Sequence, residues 1–192
     1  MELPIAAIIE AAWIVFALYW LWGWQRVKRP SRSESPLSRL LKYLLPLAVG
    51  IGLLGPEAWF GDSVLHARMY PAAAWIALLG AALAWTGVAF ACWARHVLGR
   101  NWSAVVQVKH DHELVERGPY RWVRHPIYSG LLLAFLGTAL AIGEWRGLLA
   151  VAIIAASFWF KLRLEERWMR EQFGAAYADY MRRVKALVPG VL

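Results

Sequence analysis

The sequence predicts an all-α integral membrane protein with five transmembrane helices, because its composition and its patterning both point to a bilayer. Of the 192 residues, 60% are hydrophobic and only 18% are charged, which makes the chain more apolar than most soluble domains. The hydrophobic residues form separate runs that are long enough to cross a membrane as helices. Thirteen tryptophans fit the same class, since the amphipathic indole favours membrane–water interfaces.

Each predicted helix corresponds to one apolar run, and the runs differ in regularity. The first contains a single charged residue, Glu10, whereas the second contains glycines and prolines that a span tolerates when neighbouring helices pack closely. A tight polar turn at 143–147 joins the last two runs into a predicted helical hairpin, in which Glu144 balances the charge of Arg146. The five predicted spans cover residues 5–24, 43–60, 72–94, 127–142 and 148–160.

Basic residues concentrate in alternate loops and predict the orientation of the spans. The segment 25–42 carries six lysines and arginines against Glu34 alone, and a second basic group follows the third span. Cytoplasmic loops are enriched in such residues, so the N-terminus is expected outside and the C-terminus in the cytoplasm. The protein would then lie in the inner membrane if its source is bacterial. His66, in the predicted outer loop 61–71, is expected to be solvated.

The formal net charge of +8 is compatible with an anionic partner, but its distribution favours lipid over nucleic acid. The basic residues lie in short loops between apolar runs, where they would face anionic headgroups. We therefore expect the lipid bilayer as a partner and no nucleic acid.

A stripe of small residues predicts how the fourth span packs. Gly130, Ala134 and Thr138 recur at every fourth position, which places them on one face of a helix. Small side chains on one face allow two helix backbones to approach closely in a membrane. The fourth span is therefore expected to contact another helix along this stripe.

The residues after the fifth apolar run predict a helix that leaves the membrane. From residue 161 to 183 the chain becomes charged and amphipathic, so the fifth helix is expected to continue in the cytoplasm. In this extension Phe173, Tyr177 and Tyr180 form one packed face, and Gly174 can break the helix in two.

The segment 112–130 concentrates polar and charged side chains between two apolar regions. A residue before proline is pushed out of the helical region, so His125 is expected at the start of the fourth helix, with Pro126 in or just before its first turn. Unpaired N–H groups at such a position can hold a ligand carboxylate. Alternatively, the arginines of this segment only bind lipid phosphates: Arg117, Arg121 and Arg124. Spacing alone leaves both interpretations open.

Several familiar sites are not predicted. The sequence has no G-x-x-x-x-G-K-[ST] phosphate loop, no G-x-S-x-G nucleophile elbow and no H-E-x-x-H metal helix, and a Rossmann-type cofactor fold is not expected. Cys92 is the only cysteine, which excludes an intrachain disulfide and a cysteine-based metal site. His110 and His112 could form a metal pair, but no clear third ligand accompanies them. We therefore predict no metal.

The polar segment and a second motif near the C-terminus together resemble a known family. The segment from His112 to Gly130, HELVERGPYRWVRHPIYSG, is followed from Glu165 by EERWMREQFGAAYADYMRRV. The two motifs resemble the isoprenylcysteine carboxyl methyltransferase family of integral membrane enzymes and are similar to the related phospholipid N-methyltransferases. The resemblance covers residues 101–189, while the first two spans contribute only hydropathy.

The resemblance implies S-adenosyl-L-methionine as cofactor and methyl donor, bound without a Rossmann fold by a cytoplasmic segment between the third and fourth spans. It divides the single membrane domain, residues 1–192, into three N-terminal spans (1–94) and a cofactor-binding catalytic half (95–192). Carried over by position, the implied cofactor-binding residues are Gln107, His112, Glu113, Leu114, Val115, Tyr120, His125, Pro126, Tyr128 and Glu165.

The residues expected near the methyl acceptor depart from the family pattern. The family usually has an arginine four residues before the glutamate, and that arginine orients the substrate carboxylate. This chain has Lys161 at that position and Arg163 two residues on. Either could supply the positive charge, but lysine lacks the planar fork that binds a carboxylate bidentately. The implied catalytic residues are Lys161, Arg163 and Glu165.

The resemblance thus predicts a membrane methyltransferase that acts on a lipid-like or small-molecule acceptor, first of all a carboxylate of the isoprenylcysteine type. Methylation of a thiol or of a phospholipid amine is an alternative. An NADPH-dependent isoprenoid or sterol reductase is another, since such proteins look similar in the C-terminal part. A small channel or lipid-binding protein is the non-enzymatic alternative.

Overall fold

The computed structural model describes residues 5–23, 30–33, 35–99, 107–109 and 114–191, with 30–33 and 107–109 described as backbone. Within these residues the protein is a bundle of helices with one short antiparallel ribbon, which adds a small β element to the expected all-α class. The helices are α1 (Ile5–Trp22), α2 (Pro36–Leu53), α3 (Ala74–Leu98), α4 (Pro126–Ile142), α5 (Trp145–Phe173) and α6 (Ala175–Arg183). The strands are β1 (Pro30–Ser33) and β2 (Gln107–Lys109).

Four of the helices in the described part of the chain are long and apolar enough to cross a bilayer, namely α1, α2, α3 and α5. Helix α4 is also apolar but has 17 residues, which corresponds to about 25 Å. The long helices agree with the predicted membrane class. A fifth span at α4 stays a prediction.

Helices α3 and α4 are in close backbone contact because glycines face each other at two levels. A Cβ placed on Gly87 would lie 2.4 Å from the Gly130 carbonyl oxygen, and one placed on Gly80 would lie 2.5 Å from that of Gly137. Ala134, between these two levels, is completely buried. The close helix contact predicted from the small-residue stripe is therefore confirmed.

The other helices surround α4. Helix α1 lies against α3 and reaches α4 through a hydrogen bond in which the Trp13 indole N–H donates to the Thr138 hydroxyl at 3.1 Å. Helix α5 packs against α4 and is covered by α2, where the Ser157 hydroxyl donates to the Tyr43 carbonyl oxygen at 3.3 Å. Helices α1, α2, α4 and α5 consequently enclose a common interior space.

The second span differs from its predicted position at 43–60, because its helix begins at Pro36. Ser35 caps this helix: its side chain accepts a hydrogen bond from the Ser38 N–H at 3.3 Å. Proline is tolerated in the first turn of a helix, since the N–H it lacks would have no helical partner there. Capping by serine and proline therefore moves the start of the span to the N-terminal side of the prediction.

The same helix ends earlier than expected, at Leu53. A π turn at Leu40–Leu44 precedes Pro46, whose ring would clash with a regular helix, and the glycines beyond it weaken the last turns. The string from Gly50 to Gly55 matches G-x-G-x-x-G, but it forms the end of a helix and not the turn from a strand into a helix. It therefore does not form a Rossmann phosphate site.

Helix α5 carries the chain out of the apolar region. Its 29 residues correspond to about 44 Å, which exceeds the roughly 30 Å of a bilayer's hydrocarbon core. The helix is continuous through 148–160 and the charged residues that follow, and it ends at Gly174 with φ 54°, as predicted. Beyond this break, Tyr177 and Tyr180 are each 2% exposed and pack with Phe173, which confirms the predicted packed face.

The chain after α6 folds back across the start of α4 as a C-terminal strap (residues 184–187). The strap runs parallel to the residues that precede α4. The backbone N–H groups of Arg124 and His125 donate to carbonyl oxygens of the strap at 2.8 and 3.0 Å, and the Ser129 hydroxyl donates to another at 2.6 Å. These hydrogen bonds join the C-terminal segment to the polar segment identified in the sequence.

A distal polar cluster (Glu57, His66, Glu144 and Arg146) lies at the C-terminal end of α4. The predicted balance of charge in the α4–α5 turn is confirmed, because Glu144 and Arg146 form a buried ion pair. The His66 ring nitrogens lie 3.2 Å from the carboxylates of Glu57 and Glu144. His66 is therefore only partly solvated, with a side chain 31% exposed, because the loop that carries it folds onto the turn between α4 and α5.

Substituting Gly87 by alanine should destabilise the bundle, because the added Cβ would lie 2.4 Å from a backbone oxygen of α4. The two helices would have to separate, and overpacking of this kind costs about 1–3 kcal/mol. We expect the thermal unfolding temperature in detergent to fall below that of the wild type. Gly52→Ala is the matched control, since a Cβ at Gly52 of α2 meets nothing within 4 Å. Equal unfolding temperatures for the two variants would contradict this description of the interface.

Candidate active site

A cavity of about 1190 Å³ runs inside the bundle between α1, α2, α4 and α5. Aromatic side chains such as Trp13, Phe135 and Phe158 line its middle. Its two ends are polar: one reaches the distal polar cluster, and the other reaches His125 and Glu165. A large apolar space that meets a few convergent polar side chains is the usual form of a ligand site.

His125 is held at the start of α4 by its backbone. Its φ of −123° and ψ of 59° lie outside the helical region, as expected before a proline, and α4 begins at Pro126, one residue before the predicted span. The His125 N–H donates to the strap, and its carbonyl oxygen accepts from the Ser129 N–H at 3.0 Å. Because both backbone groups are engaged, the side chain projects into the bundle from a defined position.

The imidazole of His125 lies between two carboxylates of α5. Its Nε2 is 3.2 Å from Glu166 Oε1, and its Nδ1 is 3.6 Å from Glu165 Oε2. Consecutive residues of a helix point roughly 100° apart, so the two glutamates approach the ring from different directions. Glu165 lines the cavity, whereas Glu166 lies behind the imidazole with a side chain 7% exposed.

Tyr128 completes the contacts of Glu165. Its hydroxyl donates to Glu165 Oε1 at 2.6 Å. Its ring lies 5.7 Å from the imidazole of His125, at an angle of 21°, and 5.0 Å from the ring of Phe158. Both carboxylate oxygens of Glu165 thus face groups from the first turn of α4, and these contacts hold the carboxylate at the wall of the cavity.

Arg124 and Glu166 form a buried ion pair that the sequence did not predict. The Nε and Nη2 atoms of Arg124 donate to the same Glu166 oxygen at 2.9 and 2.6 Å, and the two side chains are 8% and 7% exposed. Arg124 is therefore not available to lipid phosphates, unlike the exposed Arg117 and Arg121. The sequence did contain a signal for this pairing: two adjacent basic residues, Arg124 and His125, lie in one motif, and two adjacent acids, Glu165 and Glu166, lie in the other.

The structure brings one of the two candidate basic residues to the site. Lys161 lines the cavity, and its Nζ lies 5.5 Å from the centre of the Tyr128 ring. Lys161 precedes Glu165 by four residues, so the two share a face of α5. Arg163 is exposed, and its guanidinium lies over the Trp159 ring at 5.7 Å. A shift of two residues turns the side chain to another side of the helix, which is why Arg163 does not reach the site.

The two carboxylates change the titration of His125. Burial by itself lowers the pKa of the imidazole, but the hydrogen bonds and the negative charges of Glu165 and Glu166 outweigh burial and raise the pKa above its ordinary value. In the charged extension of α5, burial likewise raises the pKa of both glutamates, but the hydrogen bonds with His125 and the neighbouring positive charges lower it overall. The geometry therefore favours an imidazolium between two carboxylates.

The remaining predicted cofactor residues differ in location. Pro126 is buried in the first turn of α4, and Gln107 lies in β2, where the backbone alone is described. His112 and Glu113 lie outside the described residues, as does His110, so the considered metal pair is not described either. Three further predicted residues line the cavity: Leu114, Val115 and Tyr120.

Sequence reasoning missed part of the cavity wall near His125 and Glu165. The Tyr180 hydroxyl donates to the Tyr120 carbonyl oxygen at 2.6 Å, which attaches α6 to the polar segment. The spacing of aromatic residues after α5 indicated a packed face but not that this face borders the cavity. The missed lining residues are Trp168, Met169, Tyr177 and Tyr180.

A sequence profile of the family described as phospholipid methyltransferase matches residues 75–176, more than half of the chain. The matched region includes most of α3, all of α4 and α5, and with them His125, Glu165 and Glu166. The chain belongs to this family. The resemblance to the isoprenylcysteine carboxyl methyltransferases within it is also confirmed, since named relatives and a solved structure of that kind match as well.

The chain is similar to several curated proteins, among them methyltransferases with two different acceptors in their names. It is 33% identical over 99 residues to the Saccharomyces cerevisiae protein-S-isoprenylcysteine O-methyltransferase, a match that covers 50% of this chain and 41% of that protein. It is 45% identical over 71 residues to methanethiol S-methyltransferase 2 of Bradyrhizobium diazoefficiens, which covers 36% of this chain and 26% of that protein. This chain therefore spans less than half the length of either relative.

A solved structure supports the fold over a larger part of the chain. The eukaryotic intramembrane Ras methyltransferase, an isoprenylcysteine carboxyl methyltransferase, superposes with a TM-score of 0.55 and 25% sequence identity. The match covers 84% of this chain and 55% of the other. Together with the long apolar helices, it identifies this family member as an integral membrane protein.

The contribution of His125 to stability should depend on pH. Because its pKa is raised in the folded state, the stabilisation is fully present below the unfolded value of about 6.5 and is lost as the pH rises through the folded value. We expect the difference in unfolding free energy between wild type and His125→Gln to shrink from pH 6 to pH 9 in detergent. His96→Gln, at an exposed histidine of α3, is the control for the substitution itself. A difference that grows with pH would contradict the ion-pair geometry.

Proposed function

We propose that this protein transfers a methyl group from S-adenosyl-L-methionine to an acceptor that carries an apolar chain, at the boundary between membrane and cytoplasm. The observation that carries the proposal is the junction of the apolar cavity with Glu165, His125, Tyr128 and Lys161, in a chain of this family. The polar group suits the cofactor, and the apolar space suits the acceptor.

The side chains of the polar group fit S-adenosyl-L-methionine by their chemistry. This cofactor carries a sulfonium, an ammonium group, ribose hydroxyls and a carboxylate. The Glu165 carboxylate can accept hydrogen bonds from the ammonium or the hydroxyls, and Lys161 can neutralise a carboxylate. The rings of Tyr120 and Tyr128 border the same space and offer faces for a cation or for adenine. These residues would hold the cofactor.

Methyl transfer requires the protein to orient the two reactants rather than to transfer a proton. The cofactor supplies an electrophilic methyl group on a sulfonium, and a carboxylate acceptor is already ionised near neutral pH, so no strong general base is needed. The task of Glu165, Tyr128 and Lys161 is then to hold two reactants in line. The apolar lining of the cavity and the tyrosines of α6 beside it would limit water at the site, which favours a reaction that reduces charge separation.

A carboxylate of the isoprenylcysteine type is the first acceptor we propose. Lys161 offers a positive charge beside the apolar cavity, on the same face of α5 as Glu165. The yeast relative named as an isoprenylcysteine O-methyltransferase supports this choice. Because lysine binds as a point charge, we expect looser orientation of the carboxylate than an arginine would give.

A thiol that carries an apolar group is the second candidate acceptor. The relative named methanethiol S-methyltransferase 2 favours it, since that match has the higher identity over its length. A thiol does not require a positive charge in its ground state, so a lysine in place of the family's arginine is compatible with it. The two candidates therefore differ in their dependence on Lys161.

We further propose that α4 is a fifth span, with the N-terminus outside and the C-terminus in the cytoplasm. At about 25 Å, α4 approaches the thickness of a hydrocarbon core, and helices α1, α3 and α5 flank it. The basic loops predicted from the sequence support this orientation. It directs the polar group around His125 to the cytoplasmic side, from which a polar cofactor would enter.

Binding of the methyl donor tests the proposal directly. Purified protein in detergent should bind S-adenosyl-L-methionine at micromolar concentration, and Glu165→Gln should weaken this binding about tenfold, since a charge-assisted hydrogen bond is lost. Glu171→Gln, at an exposed glutamate of the same helix, is the matched control. Isothermal titration calorimetry measures both. Tight binding of NADPH with none of S-adenosyl-L-methionine would refute the methyltransferase and support the reductase.

A methylation screen distinguishes the acceptors. Radiolabelled methyl transfer should be measured with carboxylate, thiol and amine acceptors that bear the same apolar chain. With a carboxylate, Lys161→Ala should raise the KM for the acceptor about tenfold and Lys161→Arg should restore it, while Arg163→Ala should have little effect. Preference for the thiol, with no effect of Lys161→Ala, would decide for the second candidate.

A further inference from the structure

Glu166 has a different environment from its neighbour Glu165. Glu165 lines the cavity, whereas Glu166 does not and has a side chain that is 7% exposed. One oxygen of Glu166 accepts from Nε and Nη2 of Arg124 at 2.9 and 2.6 Å and lies 3.2 Å from Nε2 of His125. A single carboxylate oxygen therefore joins three nitrogen atoms from two residues at the start of α4.

Arg124 extends these contacts to the C-terminus. Its Nη1 donates to the carbonyl oxygens of Met181, at 3.4 Å, and of Val184, at the beginning of the strap. The strap in turn receives the backbone N–H groups of Arg124 and His125. Glu166, Arg124 and the strap thus form one connected set of hydrogen bonds behind the imidazole, and of its members only Arg124 also borders the cavity.

Stability alone is a weak reason for this arrangement. Two charges that are removed from water lose hydration, and a buried ion pair can often be replaced by apolar residues without loss of stability. The better-supported role of a buried ion pair is to fix one specific arrangement of the groups around it. The geometry that needs fixing here is the orientation of the His125 ring. The ring has one nitrogen facing Glu166 and the other facing Glu165, and rotation about the side-chain bonds would change which nitrogen faces the cavity.

We propose that Glu166 is a positioning residue: by binding Arg124 it holds the C-terminal strap against the start of α4, and by binding Nε2 it directs Nδ1 of His125 towards Glu165 and the cavity. The proposal rests on the proposed function, since the position of Glu165 matters for binding the methyl donor. It assigns a task to a residue that does not touch the cavity.

The charged surroundings of His125 make the proposal measurable. The carboxylates of Glu165 and Glu166 face its ring from α5, the guanidinium of Arg124 lies behind Glu166, and Lys161 acts on Glu165. The phenol groups near this set belong to Tyr120, Tyr128, Tyr177 and Tyr180. Removing the charge of Glu166 takes away one of the two carboxylates that stabilise the imidazolium, so His125 should titrate at a lower pH.

The experiment combines histidine titration with binding of the methyl donor in the full-length protein. Nuclear magnetic resonance of ¹⁵N-histidine-labelled protein in detergent follows the imidazole signal that is absent from His125→Asn. In Glu166→Gln, this signal should titrate at lower pH than in the wild type, and affinity for S-adenosyl-L-methionine should fall about tenfold. Glu166→Asp keeps the charge but moves the carboxylate oxygens away from Arg124 and His125. The pH at which His125 titrates and the affinity for S-adenosyl-L-methionine should therefore both lie between those of wild type and Glu166→Gln.

The control is Glu116→Gln, which breaks the ion pair of Glu116 with Arg183 at the end of α6. The side chains of Glu116 and Arg183 are 34% and 54% exposed. Loss of this pair should therefore change neither the titration of His125 nor the affinity for S-adenosyl-L-methionine. If Glu166→Gln does not fold, Glu166→Asp and Arg124→Lys supply the same comparison, since each retains its charge.

The outcomes separate this proposal from the proposed function. A wild-type protein that fails to bind S-adenosyl-L-methionine refutes the proposed function, and the positioning role falls with it. A wild type that binds, combined with a Glu166→Gln variant in which either the titration or the affinity is unchanged, overturns the positioning role alone. The positioning role is supported if Glu166→Gln lowers both the pH at which His125 titrates and the affinity for S-adenosyl-L-methionine, while Glu116→Gln changes neither.

Discussion

The pairing of Arg124 and His125 with Glu165 and Glu166 is the interaction on which the site depends. Charges within an apolar bundle must be paired, because an isolated buried charge costs far more free energy than a folded protein can spare. The two residues that precede α4 supply the basic side chains, and the charged extension of α5 supplies the acids. The site can therefore form only when the α4–α5 hairpin is closed and its two helices are in register.

The rest of the bundle fixes this register and adds a place for the acceptor. Helix α4 is held against α3 by facing glycines, and the strap returns across its first turn. Helix α5 is long enough to extend beyond a hydrocarbon core, which puts its acidic residues near the surface while its apolar part lines the cavity. One helix thus contributes to both the polar group and the apolar space.

Family membership and the local geometry bear on different parts of the function. The family match covers α4 and α5 and therefore the polar group, whereas the relatives are named for acceptors as different as an isoprenylcysteine carboxylate and methanethiol. The apolar cavity and Lys161 are the features through which an acceptor would be selected. Arg163 is exposed and does not line the cavity, so Lys161 is the one of the two candidate basic residues that could act on an acceptor there.

Local rules in the sequence determined the membrane class, the start of α4 at Pro126, the break at Gly174 and the contact along the Gly130 stripe. Each depends on a few neighbouring residues or on helical periodicity, which a sequence displays directly. The resemblance added His125, Tyr128 and Glu165, which the structure brings together. Only the tertiary structure decided the partner of Arg124, the place of the strap, the contacts of His66 and the position of Lys161, rather than Arg163, at the cavity. These depend on contacts between residues far apart in the chain and on the direction of a side chain around its helix, which spacing alone does not specify.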